Sequence, residues 1–179
     1  MKAIKTNLIR RPRFDKLTNA QKRVAICKDV IARMDLNLLT EVHGLVIKNR
    51  HQFAQIAKSP REAINKKECE VCAKGALICS WIGNFNQFSF SEFIGIPHGD
   101  SMLGAPPELT EIFGYEMLDN IEAAYEGRTY SFHRSQHSQK YAEKFAKKKY
   151  LHGFGRKCGD LREIMNYIIE NKGEFPLLA

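Results

Sequence analysis

Cys69-Glu70-Val71-Cys72-Ala73-Lys74-Gly75-Ala76-Leu77-Ile78-Cys79-Ser80-Trp81-Ile82-Gly83 is the stretch whose reading decides the fold. It holds three of the five cysteines and the only tryptophan, and after Glu70 its one strongly polar residue is Lys74. Wound as a helix, it gathers Cys69, Cys72, Ala73, Ala76, Cys79, Ser80 and Gly83 on a face of small side chains. Val71, Ile78 and Ile82 lie opposite, with Leu77 and Trp81 between them. A helix that is apolar almost all round is a buried one. This stretch is therefore expected to be the central helix, its small face admitting a close neighbour. The candidates are an opening helix through Cys27 and a closing helix through Met165.

The flanking chain reads as further helices. Thr18 and Gln21 form a capping box, and an apolar stripe of Val24, Cys27, Val30, Ile31, Met34 and Leu38 follows at helical spacing, with Lys22, Arg23, Lys28 and Arg33 off it. Ser59-Pro60-Arg61-Glu62 starts a helix leading into the cysteine stretch, as one helix or as two with a break near 66–68. Residues 108–113 form a short helix stopped by Gly114, and 115–126 a longer one with Leu118, Ile121 and Tyr125 inward. Residues 128–137 read as a linker. Residues 138–150 read as a helix with Tyr141, Ala142 and Phe145 inward and Lys140, Lys144, Lys147 and Lys148 outward. Asp160 caps a closing helix with the stripe Leu161, Ile164, Met165, Ile168 and Ile169, ended by Gly173. Residues 40–48 are either a short strand or an apolar loop, and 84–96 either a strand or a short helix. The expectation is a mainly α protein. A single compact helical domain of six or seven helices spans 18–179, with at most a small β-ribbon, behind a basic N-terminal arm at 1–17. That arm is held loosely, because Arg10-Arg11-Pro12-Arg13 is interrupted by proline.

Composition narrows the setting. The best apolar run, 71–82, is too short for a membrane span and is broken by Lys74. Five cysteines without regular spacing argue against a disulfide framework and for a reducing, cytoplasmic compartment. The net charge of +8 is segregated. Residues 1–33 carry ten Lys/Arg against two acids, and 128–157 nine against Glu143 alone, whereas 104–127 are acidic. Such asymmetry suits an anionic partner, nucleic acid or an acidic protein face; the bland reading is solvated surface.

Two constellations could carry function. Arg128, Arg134, Lys140, Lys144, Lys147, Lys148, Lys149, Arg156 and Lys157 are interleaved with Tyr130, Phe132, Tyr141, Tyr150 and Phe154. Basic residues among aromatics can hold a phosphate backbone and stack bases; alternatively the aromatics are core and the lysines merely hydrated. Cys69-x-x-Cys72 has metal-ligand spacing, and with His133 and His137 it would complete a tetrahedral zinc site. Against that, cysteines on a small, buried helix face are ordinarily packing residues. Redox use, or a cysteine nucleophile with a histidine base, would need an exposed thiolate of lowered pKa.

Three blocks carry a resemblance: KRVAICKDVIARM at 22–34, CEVCAKGALICSWI at 69–82, and EIFGYEMLDNIEAAYEG with LREIMNYIIENKGEF at 111–127 and 161–175. They are similar to a family of uncharacterised proteins of phages and bacterial genomes, often of Bacteroidetes. Its members share a C-x-V-C-A-x-G-A helix and a closing I-M-x-x-I-I-x-N-x-G-x-F helix. The resemblance implies a cytosolic protein of a bacterial or phage-infected cell and brings no catalytic residues with it. The resulting expectation is a non-enzymatic accessory protein that binds a macromolecular partner, such as a host complex whose defence or other activity it inhibits, with no cofactor and no membrane. The alternatives are a DNA- or RNA-binding protein using 128–157, and a cysteine- or zinc-dependent enzyme.

Overall fold

The computed structural model describes residues 11–43, 46–85, 88–96, 105–127, 136–145, 148–149 and 157–175. Among these the chain is mainly helical, in the order α1 (Arg11–Phe14), α2 (Asn19–Asp35), β1 (Leu39–Glu41), α3 (Arg50–Phe53), α4 (Pro60–Lys66), β2 (Cys69–Val71), α5 (Ala73–Phe85), α6 (Phe90–Ile94), α7 (Pro107–Phe113), α8 (Tyr115–Glu126), α9 (Gln136–Phe145), β3 (Lys148–Lys149), β4 (Lys157–Cys158) and α10 (Leu161–Glu170). No helix among the described residues is long and apolar enough to cross a membrane.

The cysteine stretch departs from its expected form. Cys69, Glu70 and Val71 are not helical but form β2, which runs parallel to β1 in the register Leu39↔Cys69, Thr40↔Glu70, Glu41↔Val71. Ile47 bridges Val71 from the other side, antiparallel, so β2 is flanked on both edges. Lys48 N–H donates to the Glu70 carbonyl at 2.8 Å and Val42 N–H to the Val71 carbonyl at 2.9 Å. Pairing with residues some thirty positions earlier has overridden local helical pattern. Cys69 and Cys72 consequently do not share a helix face, and the break left open at 66–68 is real.

α5 is the core. Every residue from Ala73 to Phe85 is buried except Asn84. It packs against α2, α4 and α8, while α10 lies on α2 and α9 on α8. Of its two expected neighbours, the opening helix is the one that closes on its small face. A Cβ at Gly83 would lie 2.4 Å from the Arg33 guanidinium of α2. Gly75 serves the other contact, since a Cβ there would fall 1.6 Å from the Val46 carbonyl oxygen.

Helix starts follow their capping residues. Gln21 N–H donates to Thr18 Oγ1 at 3.3 Å and Thr18 N–H to Gln21 Oε1 at 3.0 Å, closing the box at the head of α2. Ser59 and Asp160 accept from Glu62 N–H at 3.2 Å and Glu163 N–H at 3.1 Å. The buried face of α2 differs from the stripe read in sequence. It is Ile26, Cys27, Asp29, Val30 and Arg33, and Arg33 is 1 % exposed.

The described part of the N-terminal arm is folded. Pro12 falls in the first turn of α1, where a missing N–H costs no helical hydrogen bond. This short helix delivers Phe14 against Phe85 and Trp81, with ring centroids 4.4 and 5.9 Å away. At the other end, Gly173 has φ 91° and sits where a Cβ would come within 2.1 Å of the Ala20 carbonyl oxygen. Arg23 donates to Glu174 at 2.5 Å beside it. The first long helix and the segment after the last are thus clasped together.

Candidate functional site

Two polar clusters are buried around α5. The first joins α2 to α5. Asp29 and Arg33, one helical turn apart, form an ion pair at 2.6 Å with both side chains almost wholly enclosed. Ser80 Oγ and Asn84 Nδ2 donate to the same Asp29 Oδ2, at 2.8 and 2.9 Å. Three donors converge on one carboxylate oxygen, which holds two core helices in register. Nothing in the arrangement offers a reacting atom a place, and it reads as scaffold.

The second cluster lies at the head of α5. Cys72 is the residue before the helix, and its sulfur accepts from Gly75 N–H at 3.5 Å. Glu122 of α8 reaches across and accepts from Lys74 N–H at 3.2 Å. A carboxylate from another helix therefore answers the positive end of the α5 dipole and one of its unpaired amides. One turn on, Glu126 Oε2 lies 3.6 Å from His43 Nδ1. The His43 ring stacks on Tyr125 at 4.4 Å and 16°, and Tyr125 Oη donates to the Val42 carbonyl at 3.1 Å. Lys74 and Glu126 are 2 % and 4 % exposed. Sequence reading counted Glu122 and Glu126 among the acids of the 104–127 block. Within that block Glu108, Glu111 and Glu116 are exposed, whereas Glu122 is half-buried and Glu126 buried. The available signal was the i, i+4 spacing of Glu122 and Glu126 on the same side as Leu118 and Tyr125.

The cluster has the residue types of a cysteine–histidine–carboxylate centre but not its electrostatics. Burial, then the Glu122 charge, push the Cys72 thiol well above its ordinary 9.0, against the pull of the Gly75 N–H. Cys79 is raised by burial and then by Cys69, and Cys27 by burial. A nucleophile or redox thiol needs the thiolate, and these sites hold the protonated form. All five cysteines are buried and none is in a disulfide.

Glu122 is raised above 4.5, first by burial, against the pull of Lys74. A carboxyl whose folded pKa exceeds its unfolded one stabilises the fold below the unfolded value and loses that contribution as pH rises through the folded value. Glu122→Gln, which keeps an oxygen to accept from Lys74 N–H, is therefore expected to be more stable than the native chain at neutral pH. Its advantage should vanish on acidification to about pH 4. Urea unfolding of both proteins across that range checks the sign; a Gln variant less stable at neutral pH would contradict it.

The zinc set spans several elements. Cys69 stands on β2 and Cys72 at the head of α5, His137 is the second residue of α9, and His133 lies outside the described residues. Among the described residues no group of three or more His, Cys, Asp or Glu side chains could hold a metal ion.

Of the basic constellation, Lys140 and Lys144 stand on α9, Lys148 and Lys149 on β3, and Lys157 on β4. Arg128, Arg134, Lys147 and Arg156 lie outside the described residues. The expected helix over 138–150 begins two residues earlier and stops at Phe145, and Lys148–Lys149 form a strand instead. A helix continued through the lysine run would stack like charges at i, i+3 and i+4. β3 pairs antiparallel with β4 in the register Lys148↔Cys158, Lys149↔Lys157. Cys158 anchors this ribbon: it is 5 % exposed, with its sulfur 3.8 Å from the Glu126 carbonyl oxygen. Lys140 and Lys144 are exposed. Lys144 Nζ also lies 3.9 Å from the Tyr167 ring centroid, which ties part of its charge to the core. Of the interleaved aromatics only Tyr141 is among the described residues, and it faces inward, as does Phe145 on the same helix. Tyr141 is fully buried, donating to the Phe175 carbonyl at 2.6 Å, and Phe145 is buried beside Tyr167 and Phe175.

No family model matches this chain, and neither the curated proteins nor the solved structures give a significant match.

Proposed function

We propose that this chain is a binding protein that docks a basic face onto a macromolecular partner with an anionic surface. The supporting observation is the shared footing of the lysine-bearing elements. α9, with exposed Lys140 and Lys144, and β4, which sets Lys157 opposite Lys149, both pack on α8. Residues separated in sequence are mounted on one helix, which in turn rests on the core helix α5. Docking requires no nucleophile, and the protonated thiol of Cys72 suits that mode better than thiolate chemistry.

The test compares the native chain with Lys140→Glu/Lys149→Glu/Lys157→Glu in affinity capture from bacterial lysate, at about 50 and about 200 mM salt. The native chain is expected to retain a macromolecule that the higher salt releases and the variant never holds. Equal recovery by both proteins, or none by either, would sink the reading.

A further inference from the structure

We infer that Arg50 anchors a further binding site, which takes the carboxylate group of a small organic acid. The site is carried by α3 and α6, which bear none of the basic face proposed above. The two buried side chains of α3 are Arg50 and Phe53. Phe53 stacks on Phe93 of α6, with ring centroids 5.9 Å apart and planes at 9°. Just past α6, the Ile96 carbonyl accepts from Arg50 Nη1. The phenyl stack and this bond fix the guanidinium in place.

The rest of the guanidinium is unanswered. Arg50 is 4 % exposed, and its buried Nε–H has no acceptor. Among the described residues nothing accepts from Nη2, and no carboxylate forms an ion pair with the group. The acids on neighbouring elements are engaged elsewhere. Glu68 accepts from the Thr40 hydroxyl, Glu70 from Lys48 at 2.5 Å and Glu92 from Ser89 N–H at 2.8 Å. Burial lowers the Arg50 pKa from its ordinary value, and no carboxylate acts against that. Arg33 makes the contrast: it is 1 % exposed, and the fold supplies Asp29 at 2.6 Å. A buried charge without a partner costs stability, and a bound anion would remove that cost at Arg50.

The unused edge selects the ligand. With Nη1 taken by Ile96, Nε and Nη2 remain side by side. That edge is the fork that holds a carboxylate through two parallel hydrogen bonds. Lys48, the nearest lysine in sequence, is committed to Glu70. One guanidinium is then left to match one negative charge, which suits a monocarboxylate better than a phosphate dianion. The enclosure of Arg50 keeps out a flat protein surface and favours a small acid.

The experiment is thermal unfolding of the full chain at neutral pH in sodium benzoate, sodium phosphate or sodium chloride, at matched ionic strength. Benzoate is expected to raise Tm above its value in chloride by about 3–6 °C at about ten times its dissociation constant. Phosphate is expected to match chloride. Arg50→Met should abolish the benzoate shift while keeping Tm in chloride within about 3 °C of native, because it removes an uncompensated charge. Arg50→Lys keeps the charge without the fork and should lose most of the shift, so the inference stays testable if the Met variant does not fold. Asp100, which lies outside the described residues, is the acid of this chain closest in sequence to Ile96 on its C-terminal side. Asp100→Asn is expected to leave the benzoate shift unchanged. No benzoate shift in the native chain, a shift that persists in both Arg50 variants, or a shift with phosphate alone overturns the inference. So do equal, non-additive losses of stability in Asp100→Asn and Arg50→Met, which would identify an ion pair within the chain.

Discussion

Asp29→Asn is expected to lower the unfolding free energy by about 3–5 kcal/mol, the largest effect of any single polar substitution in this chain. The size comes from what is left behind. Arg33 is 1 % exposed and its guanidinium is answered by Asp29 at 2.6 Å, with the Ile64 carbonyl a weak second acceptor at 3.5 Å. Replacing the carboxylate with an amide of the same shape leaves an uncompensated charge in the core. Ser80 and Asn84 can still donate to the amide oxygen, so the loss reports the charge and not a collapsed network. Asp29→Asn combined with Arg33→Met should recover a substantial part of the stability, because removing both members of a buried pair is far milder than removing one. Urea unfolding of the native protein, the single variant and the double variant measures the coupling. A single variant within about 1 kcal/mol of native would show that water reaches this pair.

Gly75→Ala is expected to destabilise by about 3 kcal/mol, at the upper end for an overpacked core. Helix propensity alone argues the opposite, since alanine is favoured over glycine by about 1 kcal/mol within a helix. Geometry decides. The new methyl would stand 1.6 Å from the Val46 carbonyl oxygen and 2.7 Å from its carbon, and this neighbour is backbone, with no rotamer to yield. The segment at 46–48 is in turn held by Lys48 N–H on Glu70 and by the Ile47 bridge to Val71. Displacing it would strip one edge of β2. Thermal unfolding followed by circular dichroism checks the sign directly, because an increase in Tm would mean propensity outweighs the contact.

Much of the helical frame was legible because its signals are local. Thr18, Ser59 and Asp160 each announce a helix by the hydrogen bond their own side chain makes, and Gly114 and Gly127 bound α8 at 115–126. Seven of the helical segments among the described residues are seven residues or longer, in keeping with the six or seven helices expected. The misread parts depend on distant partners. Cys69-Glu70-Val71 continues an apolar helical pattern perfectly well until Leu39–Glu41 and Ile47 offer it two edges to pair with. Arg33 looks like surface because arginine generally is. Its burial is prepared by Ser80 and Asn84, two polar residues one turn apart on a helix that is apolar from Gly75 to Cys79, and only the crossing of α2 over α5 shows why they are there. Glu122 and Glu126 were hidden in the same way, counted only as acidic residues of 104–127 until α8 was seen to face the head of α5. For the basic constellation, sequence supplied the residues and the fold supplied the pairing. The ribbon that sets Lys149 against Lys157 has no periodic signature in strands of two residues each.

The clasp between Gly173 and Ala20 fixes an order of events during synthesis. Its two sides are made far apart in translation: Arg23 and Glu174, which bond across it, are 151 residues apart. α2 leaves the ribosome well before α10, the helix that packs on one of its flanks. Domains fold as units while the chain emerges N-terminus first, and here the clasp cannot close until α10 is free. Until then the α10-facing flank of α2 has no α10 to cover it. A ribosome stalled before 161–170 would hold a chain whose central helix is complete and whose outer wall is missing.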